Sequence, residues 1–176
     1  MTLKYEQSAE DYTDFNYYFL WSNPGKKHKR IINGLLPLSF FLLFIFLKRG
    51  FAISTYGPGE ALVLGIGVLF LFIQDELVYR NCKRLVKKQV LSGKTVDVLS
   101  TRTITLQDDQ LIEATPNTRS EIQWSAFEKI GETNKHFFLL FNGNQGIIVP
   151  KRAFHQAEEQ NNFRSFVTEK INTTQL

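Results

Sequence analysis

Three histidines, one cysteine and two acidic doublets are the residues here with most chemistry to offer, and their spacing decides what they can do. His28 lies among lysines, His136 opens an apolar run and His155 precedes a helical pattern. No pair of them has the spacing that brings two imidazoles onto one metal ion. Cys82 has no histidine nearby in sequence, and a lone cysteine builds neither an intramolecular disulfide framework nor a multi-cysteine zinc site. Asp108–Asp109 and Glu158–Glu159 are adjacent in a turn and at a helix start. Neighbouring side chains diverge there, whereas a general acid–base pair needs both groups on one reacting atom. Nucleophile-elbow, phosphate-loop and dinucleotide-binding glycine patterns are missing, and Gly143 and Gly146 suit a hairpin. The expectation is a non-enzymatic protein, with no catalytic, cofactor-binding or metal-ligating residue and no cofactor. One constellation stands out at a strand–helix junction: Pro150, Lys151, Arg152 and Phe154. Lys151 and Arg152 are the candidate contacts for an anionic lipid headgroup or an acidic partner. The plainer alternative is that Pro150 ends the strand, Phe154 packs under the helix and both charges face solvent.

The elements that must position these residues can be read from periodicity. Thr101–Leu106 alternates, with Ile104 and Leu106 on one face, and Gln107–Gln110 turns the chain into a strand over 111–115. Pro116–Asn117 is a second turn, and Glu121–Trp124 alternates with Ile122 and Trp124 inward. His136–Phe141 is a buried-type run, followed by a turn at 142–144 and a strand over 146–149. Six strands are predicted after residue 95, and Met1–Tyr5 is a further strand candidate. Phe163, Phe166, Val167 and Ile171 then fall at helical spacing, with Glu158 and Glu159 near the start and Lys170 near the end, as the helix dipole prefers. Near the N-terminus Ser8 and Asp11 have the spacing of a helix cap. Tyr12, Phe15 and Phe19, with Tyr18 as a further candidate, form an aromatic stripe followed by Trp21, suited either to packing on the β module or to an interfacial helix.

Composition and charge set the wider frame. The chain has 176 residues, 43% of them apolar and 16 of them Phe, which excludes a disordered or collagen-like chain. The net charge of +4 does not indicate nucleic-acid binding, because from residue 90 onward nine basic residues face ten acidic ones. The positive excess sits in two clusters beside apolar runs: Lys26, Lys27, Lys29 and Arg30, then Arg80, Lys83, Arg84, Lys87 and Lys88. Ile31–Leu47 is uncharged and Ala61–Ile73 is apolar. Flanked in this way they predict two membrane spans forming a hairpin, with the nine basic residues as membrane-edge anchors. The positive-inside rule then places both termini in the cytoplasm and the chain in the inner membrane as a multi-pass protein, with the lipid bilayer as one partner. The expected fold is a membrane α-helical hairpin plus an α+β part, a small pleckstrin-homology-like antiparallel β-meander capped by a C-terminal helix. Its divisions are an N-terminal segment over 1–25, the hairpin over 26–90 and the β domain over 91–176.

Several stretches together are familiar: Glu10–Asp11–Tyr12, Ile122–Gln123–Trp124–Ser125, Lys129–Ile130, His136–Phe137–Phe138–Leu139 and Ile148–Val149–Pro150–Lys151–Arg152–Ala153–Phe154. This pattern resembles the bacterial YcxB-like family. The resemblance implies a two-span protein with a cytoplasmic, β-rich C-terminal domain, and it transfers no catalytic residue. The expected function is a membrane-anchored, non-enzymatic binding or adaptor module for an anionic lipid headgroup or a protein partner. The alternative is an accessory, regulatory or immunity-type protein acting through its hairpin.

Overall fold

The computed structural model describes residues 1–49, 57–92, 99–141 and 145–174, and they fall into two compact units. One comprises Met1–Asn16 with Lys83–Leu176, and the other is Tyr17–Cys82. The turn expected at 142–144 lies outside the described residues.

The first unit holds two antiparallel sheets. Strands β1 (Thr2–Glu6), β2 (Thr101–Leu106), β3 (Gln110–Ala114) and β4 (Arg119–Gln123) form one sheet in that order. Strands β5 (Phe127–Glu132), β6 (His136–Phe141) and β7 (Gln145–Pro150) form the other. Among the described residues six strands follow residue 95, at the positions the alternation and turns indicate, and the N-terminal candidate is the seventh. It pairs with β2 across about a hundred positions, Leu3 opposite Ile104 and Tyr5 opposite Arg102. Alternation puts Leu3 and Tyr5 inward and leaves Thr2, Lys4 and Glu6 exposed.

Helix α1 (Ala9–Tyr17) follows β1 at once. The Ser8 hydroxyl accepts from the Asp11 amide at 3.2 Å, and the Asp11 carboxylate accepts from the Ser8 amide at 2.8 Å, a reciprocal cap at the expected place. Of the aromatic stripe, Phe15 packs on the β module: it is buried and meets Phe138 of β6 edge-on, with ring centroids 5.6 Å apart. The C-terminal helix, α4 (Ala157–Thr174), buries Phe163, Val167 and Ile171, the apolar face that the spacing marks. These join Leu3, Tyr5, Ile104, Leu111, Trp124, Phe127, Phe137 and Val149 in one core. The Trp124 indole inside it donates to the Gln107 carbonyl at 3.0 Å, so its polar end is satisfied.

The second unit contains α2 (Lys27–Arg49) and most of α3 (Pro58–Leu91). Asp75 of α3 is ion-paired to Arg30 of α2 and accepts from the Trp21 indole at 2.6 Å. Among the described residues no helix is long and apolar enough to cross a membrane. That finding overturns the expected membrane hairpin and, with it, the multi-pass inner-membrane placement. The reason lies in the runs themselves. Ile31–Leu47 is 17 residues, interrupted by Asn33, Pro37 and Ser39, and reaches only about 25 Å against roughly 30 Å of hydrocarbon. Ala61–Ile73 is 13 residues long and meets Gln74, Asp75 and Glu76 directly. The helical unit does leave large apolar side chains exposed, among them Leu36, Phe40, Leu47, Leu62 and Phe72.

Candidate functional site

The basic residues expected to edge the spans are distributed along both units. Lys26 donates to the Phe19 carbonyl at 2.6 Å and lies over the Phe19 ring. Lys27 and Lys29 occupy the first turn of α2, Lys27 with its side chain exposed, and Arg30 holds Asp75. Arg80 pairs with Glu76 one turn earlier at 2.7 Å, while Lys83, Arg84, Lys87 and Lys88 are exposed on α3.

Lys151 and Arg152 behave differently, because each is engaged by a carboxylate of its own unit. They form a short 3-10 turn after β7, with β7 ending at Pro150 and Phe154 buried beneath α4, as the plainer sequence alternative has it. Lys151 Nζ meets Glu132 at 2.6 Å and lies over the Phe137 ring. Arg152 reaches back to α1, where its two terminal nitrogens donate to the two carboxylate oxygens of Asp11, each at 2.6 Å. One of them also donates to the Glu6 carbonyl at 3.0 Å.

Asp11 is the centre of the arrangement. Its side chain is 2% exposed, and it also accepts from the Ser8 hydroxyl at 2.9 Å and lies 2.8 Å from His136 Nε2. Burial opposes its charge, but hydrogen bonds from Arg152, His136 and Ser8 together outweigh burial and hold the carboxyl well below the usual carboxylate range. The same carboxylate raises the basicity of Arg152 further. An ionised carboxylate only accepts, so His136 Nε2 carries the proton of their shared bond. His136 Nδ1 is enclosed without a hydrogen-bond partner and sits 3.5 Å from the Asp14 carboxylate.

This cluster floors an open hollow of about 560 Å³, whose rim includes Glu10, Asn134, Lys135 and Lys151. Lys135 donates to Glu10 at 2.9 Å, and both side chains are more than half exposed. Serine, histidine and aspartate meet here, yet their order differs from that of an activated nucleophile. In a hydrolase triad the imidazole bridges hydroxyl and carboxylate and takes the hydroxyl proton. Here Asp11 bridges Ser8 and His136, and an acid held so strongly ionised is a poor base. Among the described residues no group of three or more histidine, cysteine or acidic side chains is placed to hold a metal ion. His28 and His155 are exposed, Cys82 is buried, Asp108 pairs with Lys170 and Glu159 accepts from the His155 amide.

Sequence reasoning finds Arg152 as a contact residue and Ser8–Asp11 as a cap, but it gives no sign that they meet. The capping spacing marks Asp11 only for a local role, and His136 looks like one more buried residue of an apolar strand.

The chain is thus an antiparallel two-sheet β unit closed by a C-terminal helix, with a helical unit inserted between its first and second strands. Residues 106–167, from the end of β2 into α4, match the family of YcxB-like protein. Glu10–Asp11–Tyr12 lies outside the matched stretch, which is narrower than the resemblance read from the sequence. No curated protein and no solved structure matches the chain.

Proposed function

We propose that the chain is a non-enzymatic binding module that recognises an acidic segment of a protein partner at the hollow beside Arg152. The observation that carries this is the rim itself. Lys135, Lys151 and Arg152 converge there, and the first of them is held by an exposed carboxylate that an incoming acid can replace. An exposed ion pair contributes only about 0–1 kcal/mol, so exchanging Glu10 for a partner's carboxylate costs little. Beneath the rim, the Asp11–Arg152–His136 cluster gives the site a fixed floor.

The test uses the whole chain and fluorescein-labelled hexaglutamate, with hexaglutamine as control. Saturable binding to hexaglutamate alone, weakened about tenfold by Lys135→Glu, is expected. Equal behaviour of the two peptides, or indifference to the substitution, overturns the proposal.

The apolar side chains exposed on α2 and α3 favour a second reading, an accessory or regulatory protein acting through Tyr17–Cys82. A chain with that unit replaced by an unrelated helical pair restores a deletion strain under the first reading and fails to do so under the second.

A further inference from the structure

Strand β1 stands at the edge of its sheet, and its backbone can be sorted residue by residue. The Gln7 amide donates to the Ser100 carbonyl, and the Leu106 amide donates to the Met1 carbonyl. Both are direct partners in the antiparallel register that pairs Leu3 with Ile104 and Tyr5 with Arg102. Hydrogen-bonded pairs alternate in such a ladder, so Leu3 and Tyr5 turn their backbone groups toward β2, whereas Thr2, Lys4 and Glu6 turn theirs away. The donation from Arg152 to the Glu6 carbonyl comes from this outer side, as the alternation requires.

A second open hollow, of about 620 Å³, runs along the same edge, and Lys4, Glu6, Gln7, Arg152 and His155 are among its lining residues. The charge along this edge bears on what fits there. Lys4 is exposed and, among the described residues, has no ion-pair partner.

We propose that an extended acidic peptide segment adds to this sheet as a strand along the outer edge of β1. The backbone groups of Thr2 and Lys4 supply the ladder, and Lys4 meets an acidic side chain. Main-chain bonds give strand addition its affinity, and alternate side chains give it its selectivity. This deepens the binding-module reading: the partner's acidic segment runs along β1 and reaches the cluster at Arg152, a residue that lines both hollows.

The experiment uses the full chain and a labelled octapeptide of alternating valine and glutamate, prepared unmodified and with N-methyl groups on either set of alternate residues. Only one edge of an added strand faces β1, so one methylated form should bind like the parent and the other should lose at least about tenfold in affinity. Amide exchange at Lys4 should slow by about the same factor on binding, while Leu3, already in the ladder, should not change. Lys4→Pro supplies an independent readout: it removes an outward amide without touching the ladder to β2, and should weaken the octapeptide while leaving hexaglutamate binding at the other hollow intact. Equal binding of both methylated forms, unchanged exchange at Lys4, or an octapeptide that fails to bind where hexaglutamate succeeds overturns the edge assignment alone. Failure of every peptide, hexaglutamate included, overturns the binding-module reading with it.

Discussion

Arg152 grips the carboxylate of Asp11 with both terminal nitrogens at 2.6 Å, across 141 positions of sequence. The pair fastens the N-terminal segment, which supplies β1 and α1, to the turn that ends β7. Asp11 is almost fully buried while Arg152 is half exposed, so the two ends of the pair are not equivalent. Removing the arginine strands a buried charge, whereas removing the acid frees a cation that can turn to water. Arg152→Ala should therefore cost about 3 kcal/mol of unfolding free energy. Asp11→Asn, which keeps the volume and part of the hydrogen bonding, should cost less. Urea midpoints of both variants and of the double variant check this, and strictly additive losses would show that the residues are not coupled.

Acid should act through the same carboxylate. The folded state holds Asp11 ionised to lower pH than the unfolded chain, where the carboxyl titrates near about 3.9. Its stabilisation is therefore present above that value and is lost as pH falls through it toward the folded value. Between about pH 5 and 3 the parent should lose stability more steeply than Asp11→Asn does. Urea midpoints at several pH values measure the difference, and parallel curves would contradict it.

Tyr5 predicts the opposite limb. Its phenol donates to the Ile148 carbonyl of the facing sheet, and burial, with a smaller contribution from Glu113, pushes its ionisation far above the usual tyrosine range. A group with a raised folded value stabilises fully below its unfolded pKa, about 10, and that contribution fades as pH rises beyond it. Tyr5→Phe should cost about 1–3 kcal/mol at neutral pH, because it leaves a buried carbonyl unpaired. The same variant should flatten the alkaline loss of stability. Ultraviolet titration of the folded parent and of Tyr5→Phe should give the same number of tyrosinates, the parent gaining its extra one only when the chain unfolds.

Two glycines should respond differently to alanine. A Cβ at Gly146 of β7 would stand 2.9 Å from the Leu139 carbonyl and 3.0 Å from the Phe15 ring, and backbone does not yield cheaply. Gly146→Ala should destabilise by about 1–3 kcal/mol. A Cβ at Gly34 would meet the amide end of Gln74 at 2.7 Å and a Leu71 methyl at 3.0 Å, both far ends of flexible side chains. Alanine also favours the helix by about 1 kcal/mol over glycine, so Gly34→Ala should be near neutral. Thermal melts of the two variants separate these cases.

What the chain order settles alone is local. Alternation and turn residues place six strands after residue 95, the spacing of Phe163, Val167 and Ile171 marks the buried face of α4, and Ser8 with Asp11 announces the start of α1. Each of these is decided by groups within a few positions of one another, where periodicity is informative. Apolar runs were less decisive. Ile31–Leu47 and Ala61–Ile73 predict spans from their flanking charges, yet neither forms a helix long and apolar enough to cross a membrane among the described residues. Tertiary structure decided everything that depends on distant partners: that Thr2–Glu6 joins the β unit through β2, that Tyr5 ties the two sheets, and that Asp11, His136 and Arg152 share one buried cluster. Such pairings leave no periodic trace in the chain. Each depends on closing a long loop, and the Asp11 cluster also on burying one charge beside another, a balance that exists only once the core has brought the segments together.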